Sequence, residues 1–227
     1  MSFRLRALIA GSAVALLVGT ASMVASAVGT SRAPLDEAVG SRAAQAGHPA
    51  VHPPGDGLRR AGTTVNVVDF SFSPQRLVAP VGSNVTWTFS DSTRHSTTSS
   101  QAAFWDSGLR SKGATYSRVF TSAGTFAYNC TPHSYMTASV IVAVKAAGSP
   151  AAGWKLTWAT VAGAGATTYD VQMRKPGSTA WTAFRTATRG VGATFNPTRA
   201  GTYAVRARTN GSGGRSGWSP VRSLPVS

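Results

Sequence analysis

Four side chains in this sequence carry donor atoms suited to gripping one transition-metal ion: Cys130, His133, Met136 and, further upstream, His95. The first three stand at steps of three in Cys130-Thr131-Pro132-His133-Ser134-Tyr135-Met136, close enough for one loop to wrap an ion. Pro132 stiffens that loop and lowers the entropy lost on ordering it. A thiolate, two imidazoles and a weak thioether form the trigonal set of electron-transfer copper. The sulfur donors favour Cu(I), and imidazole serves both oxidation states. The same residues offer a zinc site as an alternative, although structural zinc prefers more thiolates and no thioether. Only four histidines occur in the chain. His48 and His52 fall in a Pro-rich segment where nothing fixes their geometry, so they read as linker residues able at most to catch copper weakly. His95 is left as the source of the second imidazole.

Strands must bring these donors together. Phe126, Tyr128 and Cys130 lie two apart, share one face of a strand and point into a core, with Cys130 at the strand end. Upstream, Val85 to Phe89 alternates as a strand and delivers His95 on the loop that follows it. Val65, Val67, Phe70 and Phe72 suggest a first strand that shifts face through a bulge or bend. Leu77 to Ala79, Thr115 to Phe120 and Val140 to Val144 complete the set, with turn signals at Ser73-Pro74, Pro80-Val81-Gly82-Ser83 and Ser122-Ala123-Gly124. Short strands at this spacing indicate a sandwich or barrel. Ala146-Ala147-Gly148-Ser149-Pro150 reads as a boundary. Beyond it come strands at Trp154–Trp158, Tyr169–Met173, Trp181–Arg185, Thr194–Phe195 and Thr202–Arg208. The expected class is therefore all-β.

Residues 1–27 read as a secretory signal peptide: Arg4 and Arg6, an apolar stretch from Ala7 to Val18, and Ala25-Ser26-Ala27 as a cleavage site. An uncleaved anchor is the alternative. Residues 28–62 read as a flexible Ala/Pro/Gly-rich linker. In a secreted chain the single Cys130 has no intramolecular partner. It is an inert buried thiol, an intermolecular crosslink or a metal ligand, and the neighbouring His133 and Met136 favour the last.

The net charge of +15 is unevenly spread: residues 147–227 hold ten Lys and Arg against Asp170 alone. That half suits an anionic cell-wall or surface partner. Nucleic acid is a poor expectation for an exported chain whose arginines are scattered along strands.

Residues 63–146 resemble the plastocyanin, pseudoazurin and amicyanin group of cupredoxins. The resemblance rests on the Cys130–Met136 loop, on Pro80-Val81-Gly82 followed by Val85-Thr86-Trp87, and on Phe120 through Gly124-Thr125-Phe126 into Tyr128-Asn129-Cys130. It implies an eight-stranded, cupredoxin-like Greek-key β-sandwich with one type 1 (blue) copper ion at one end, held by His95, Cys130, His133 and Met136. Two positions depart from the pattern. Ser96 stands where the family commonly has an asparagine tying the two ligand loops together, and Ala138 stands where a glycine is often found.

Residues 149–227 resemble a fibronectin type III domain through Trp158, Tyr169-Asp170-Val171, Trp181, Tyr203 to Arg208 and Ser216-Gly217-Trp218-Ser219. This implies a second β-sandwich and is nearly silent on function. Trp154, Trp158 and Trp181 are expected to pack in the core or at an edge rather than form a sugar platform. Arg206 and Arg208, two apart on one strand, are placed to stack on Trp218.

The reading that follows is a secreted, monomeric one-electron carrier cycling Cu(II)/Cu(I) for a redox partner protein, and not an enzyme. Catalytic copper proteins need further histidine-rich sites, and a binuclear copper centre needs a second cysteine. Extracellular copper buffering and a cell-surface interaction role are the alternatives.

Overall fold

The computed structural model describes residues 63–68, 70–101 and 104–227. The segments read as export signal and linker, with His48 and His52, lie outside these residues. Among the described residues every regular element is a β-strand.

The first eight strands are β1 (Thr64–Val68), β2 (Ser71–Ser73), β3 (Arg76–Ala79), β4 (Ser83–Phe89), β5 (Thr98–Ser99), β6 (Thr115–Phe120), β7 (Gly124–Asn129) and β8 (Thr137–Val142). They form two four-stranded sheets, ordered β2-β1-β4-β6 and β3-β8-β7-β5. The chain crosses between the sheets, so β1 runs parallel to β4 and β3 parallel to β8. Period-2 alternation makes each sheet two-faced. On β4 the side chains of Val85, Trp87 and Phe89 turn inward; on β7 those of Phe126 and Tyr128 do so. They join Val65, Val67, Leu77, Phe120, Val140 and Val142 in one hydrophobic cluster drawn from both sheets. Full burial of each such side chain contributes roughly 1.5–3 kcal/mol. Cys130 and Met136 belong to the same cluster, so the candidate donors stand at the edge of the core.

The segment from Val65 to Phe72 differs from its sequence reading. It is a hairpin of β1 and β2, with Val67 opposite Phe72 and Val68 opposite Ser71, rather than one strand bent by a bulge. Phe70 lies in the connection at a φ of 54°. A two-residue hairpin connection demands positive φ. This turns Phe70 out of the core while Phe72 stays buried.

The remaining strands are β9 (Lys145–Ser149), β10 (Gly153–Thr157), β11 (Thr168–Arg174), β12 (Thr182–Thr188), β13 (Gly192–Phe195), β14 (Gly201–Gly211), β15 (Gly214–Arg215) and β16 (Arg222–Val226). A three-stranded sheet, β13-β10-β9, faces a larger one in which β12, β11 and β14 are consecutive and both β15 and β16 pair with β14. Leu156, Trp158, Tyr169, Val171, Tyr203, Val205 and Leu224 fill the space between them. Residues 146–149, read as the boundary between the two units, lie in strand β9. Small side chains with little strand preference are ordered here by a full antiparallel ladder to β10, from Lys145 opposite Thr157 to Ser149 opposite Gly153.

The tryptophans divide as their surroundings dictate. Trp158 is core, and Trp154 packs beside it with its indole N–H donating to the Pro225 carbonyl. Two guanidinium groups approach the Trp218 ring, Arg206 at 4.6 Å and Arg208 at 4.4 Å from its centroid. Arg206 also lies 4.2 Å from the Trp181 ring, and Arg174 lies 5.2 Å from it.

The two sandwiches meet along a hydrogen-bonded seam. Thr160 N–H donates to the Thr121 carbonyl, Thr125 and Gly217 bond each other through both backbone groups, and the Thr209 hydroxyl donates to the Ala123 carbonyl. Gly124 is required here by close approach: a Cβ on it would lie 2.4 Å from Ser216 Oγ.

Candidate metal centre

Cys130 closes β7, and the chain then doubles back on itself. Cys130 N–H donates to the Met136 carbonyl at 3.1 Å, His133 N–H to the Cys130 carbonyl at 3.3 Å, and Met136 N–H to the His133 carbonyl at 2.8 Å. A six-residue step is thereby folded into a compact loop, with Cys130 and Met136 buried at its base and the His133 ring half-buried above them.

His95 arrives on the connection between β4 and β5 and is 0 % exposed. Its backbone is pinned on both sides by Arg110: His95 N–H donates to the Arg110 carbonyl at 3.1 Å and Arg110 N–H to the His95 carbonyl at 2.7 Å. Its ring is pinned by Asp91, whose Oδ2 lies 2.9 Å from Nε2. The other Asp91 oxygen, Oδ1, accepts the Thr93 N–H. A carboxylate can only accept, so Nε2 carries the proton and Nδ1 is left with a lone pair.

Three donor atoms converge at one point. Cys130 Sγ lies 3.6 Å from His95 Nδ1 and 3.5 Å from His133 Nδ1, and the two nitrogens are 3.2 Å apart. Nitrogen lone pairs do not face each other at that separation without a cation or a shared proton between them. The point equidistant from the three atoms lies about 2.0 Å from each, close to metal–nitrogen bond lengths of about 2.0–2.1 Å. The donor set therefore fits a single metal ion. Of the four residues singled out from the sequence, the structure brings His95, Cys130 and His133 into one cluster. Met136 is buried in the adjoining core and tied by its backbone to both Cys130 and His133.

Ser96 links the two ligand-bearing loops in the place where the cupredoxin pattern commonly has asparagine. Its N–H points at Cys130 Sγ at 3.3 Å, and its hydroxyl oxygen accepts the Thr131 N–H at 2.8 Å. The hydroxyl also joins Thr98 and Thr131 at 3.0 Å each, and Thr98 Oγ1 donates to Asp106 at 2.8 Å. A smaller side chain thus makes the loop-to-loop bond by recruiting neighbours on both sides. Ala138, the other departure, sits in β8 opposite Tyr128 and is packed into the core. Burial pushes the Tyr128 phenol well above its usual range, so it remains neutral two residues from the thiol.

Asp91, Arg110 and Phe70 are the residues here that the sequence reading passes over. Asp91 precedes His95 by four residues outside any regular element, so periodicity gives no signal. Only the recurring pairing of a histidine ligand with a carboxylate would have marked it. Phe70 is 44 % exposed, with its ring centroid 4.8 Å from that of His133 in an edge-on contact. Tyr135, 69 % exposed, flanks the same imidazole at 6.2 Å.

Residues 60–143 match the family of copper binding proteins, plastocyanin/azurin family. Over 82 residues the chain is 30 % identical to amicyanin of Paracoccus denitrificans, an overlap of 34 % of this chain and 63 % of amicyanin, so the chain spans less than two thirds of that relative. Among solved structures, an amicyanin variant in its reduced Cu(I) form at pH 4 is 27 % identical, covers 38 % of this chain and 86 % of its own, and has a TM-score of 0.34. A purple cupredoxin from Nitrosopumilus maritimus is 26 % identical, covers 36 % of this chain and 99 % of its own, with a TM-score of 0.33. The family match contains all four candidate donors. Together with the His95–Cys130–His133 cluster it supports a plastocyanin/azurin-type cupredoxin domain holding one copper ion.

Proposed function

We propose that this protein is a non-enzymatic one-electron carrier with a type 1 copper site in which His95, Cys130 and His133 bind the ion and Met136 supplies a long axial thioether. Bound copper supplies a single-electron exchange between Cu(II) and Cu(I). The chain's own part is to hold three donors rigidly enough that little moves when the charge changes. Arg110 and Asp91 fix the first histidine, Ser96 ties its loop to the cysteine loop, and three backbone bonds close the loop from Cys130 to Met136. Low reorganisation is what fast electron exchange needs.

The observation that carries this reading is the asymmetry of the two imidazoles. His95 is sealed in the protein, whereas His133 reaches the surface inside an apolar collar of Phe70 and Tyr135. A buffering site has no use for an exposed ligand edge framed by aromatic side chains. A redox partner docking there would meet a short path to the ion through the His133 ring. Tyr135→Lys tests this. Electron self-exchange between Cu(I) and Cu(II) forms, read from NMR line broadening, is expected to slow by about tenfold as apolar contact is lost and like charge is added. The visible spectrum should remain unchanged. An unaltered rate contradicts the port.

A second strand of the proposal concerns place and partners. We read the protein as an exported monomer whose second, fibronectin type III-like sandwich acts as a spacing or adhesion module toward an anionic wall or surface polymer. The packing of a three-stranded antiparallel sheet against a five-stranded one supports the sandwich reading, as does the Tyr203 hydroxyl donating to the Arg199 carbonyl four residues back, a corner typical of such sandwiches. The charge supports the partner class. Burial and the neighbouring Arg208 and Arg174 hold the Arg206 guanidinium below its ordinary range, and an incoming anion would relieve that crowding.

A further inference from the structure

A cleft of about 340 Å³ opens at the seam between the two sandwiches, at the Phe120–Phe126 end of the first core rather than at the histidines. One wall is aromatic. Phe126 makes edge-on contacts with Phe104 at 5.4 Å and with Phe120 at 5.2 Å. The other wall comes from the second sandwich and includes Ala166, Thr167 and Ser212. The volume is at the lower end of the roughly 300–1,000 Å³ of small-molecule sites, which favour domain seams.

Among the described residues Arg118 is the one cation lining this cleft, and no carboxylate among them pairs with it. Arg118 stands on the inward-facing side of β6, its guanidinium carbon 5.4 Å from the Trp105 ring centroid and 5.7 Å from that of Phe120. Its Nε is buried and has no hydrogen-bond partner among the described residues. The ion pairs of the described residues are Asp91–His95 and Asp170–Arg208, neither of which involves it. Desolvation by burial is the main influence on Arg118 and pulls its pKa down from the ordinary value, with the neighbouring Tyr116 hydroxyl opposing it. A partly desolvated cation without an anion is costly, and its one orphaned donor, Nε–H, adds to that cost.

We propose that this seam cleft binds a small apolar or aromatic monocarboxylate, whose carboxylate pairs with Arg118 and whose body rests on Phe104, Phe120 and Phe126. The guanidinium lies beside the Trp105 and Phe120 rings, and its planar fork suits a two-pronged bond to a carboxylate. The remaining polar groups argue against a more highly charged ligand. Ser122 and Thr209 are committed to each other at 2.7 Å, and Thr209 also donates to the Ala123 carbonyl, which leaves the neutral hydroxyls of Thr121, Thr167 and Ser212 beside the one guanidinium. One positive charge, neutral hydroxyls and one aromatic wall suit one negative charge on a hydrophobic body.

The probes are 3-phenylpropionate and its neutral analogue 3-phenylpropanamide, titrated calorimetrically into the full chain. The expected result is one saturable site for the acid, with the amide weaker by about tenfold or more. In Arg118→Gln that preference should fall below about twofold, while Ala166→Trp, which leaves Arg118 intact and fills the cleft from the opposite wall, should abolish binding of both. Should Arg118→Gln fail to fold, the acid–amide ratio in the unaltered chain and the Ala166→Trp result decide between the outcomes. Equal binding of acid and amide, undiminished binding in Ala166→Trp, or no saturation by about 10 mM acid would overturn the proposal.

Discussion

Asp91 Oδ2 and His95 Nε2 are 2.9 Å apart, which sets the protonation of the buried imidazole before any ion arrives. The carboxylate takes the N–H at one end of the ring, so the lone pair at the other end faces Cys130 and His133. Such outer partners of a ligating histidine typically account for 10–100-fold in metal affinity.

Asp91→Ala is therefore expected to weaken Cu(II) binding by about tenfold or more, whereas Asp91→Asn, which keeps an oxygen acceptor, should lose less. Competition with a chelator of known affinity measures both. Unchanged affinity in Asp91→Ala would remove Asp91 from the account. The Cu(II)/Cu(I) potential should rise in the same variant, because a less basic imidazole stabilises the oxidised ion less.

Ser96→Ala separates the two bonds made by that residue. The backbone N–H directed at Cys130 Sγ survives, but the oxygen that accepts from Thr131 N–H is lost. The part-buried Thr131 N–H would then lose its partner, at a cost of about 0.5–1.5 kcal/mol in the stability of the copper-free protein. Urea unfolding of the metal-free protein checks this. A loss of metal binding with no loss of stability would mean that the serine acts on the ion rather than on the loops.

Asp170 gives the second sandwich a pH dependence with a definite sign. Burial works to raise its pKa, but the Ala187 N–H and the Arg208 guanidinium outweigh it, and the carboxyl titrates below its ordinary value. The ionised form is thus favoured in the folded state. Its contribution is complete above the unfolded value of about 3.9 and disappears as pH falls through the lower folded value. Asp170→Asn should cost on the order of 1 kcal/mol at neutral pH, with the difference from the unaltered protein closing in strong acid. A gap that stays constant from pH 7 to about pH 2 would contradict the assignment.

How far all this is legible in the sequence depends on the kind of signal each residue leaves. Phe126, Tyr128 and Cys130 announce a strand face because their alternation is strict, and the steps from Cys130 to His133 and Met136 mark a loop able to gather donors. Elimination points to His95, since His48 and His52 have no ordered frame around them in the sequence. Phe70 is misread because two phenylalanines two apart imitate one strand face, and the turn that separates them needs a positive φ that a phenylalanine does not advertise. Strand β9 leaves no signal for the opposite reason: Ala146, Ala147, Gly148 and Ser149 lack strand-forming side chains and owe their order to the ladder with β10. Arg118 is invisible as a binding residue in the sequence, because its separation from the carboxylates of the described residues is a property of the folded seam.

The most direct test of the central claim is a Cu(II) titration of the protein followed by visible and electron paramagnetic resonance spectroscopy, beside Cys130→Ser. The account predicts an intense thiolate-to-copper band with narrow hyperfine splitting, saturating at one copper per chain and absent from the variant. A pale complex, or one indifferent to the loss of Cys130, would contradict it and leave the chain without a type 1 centre.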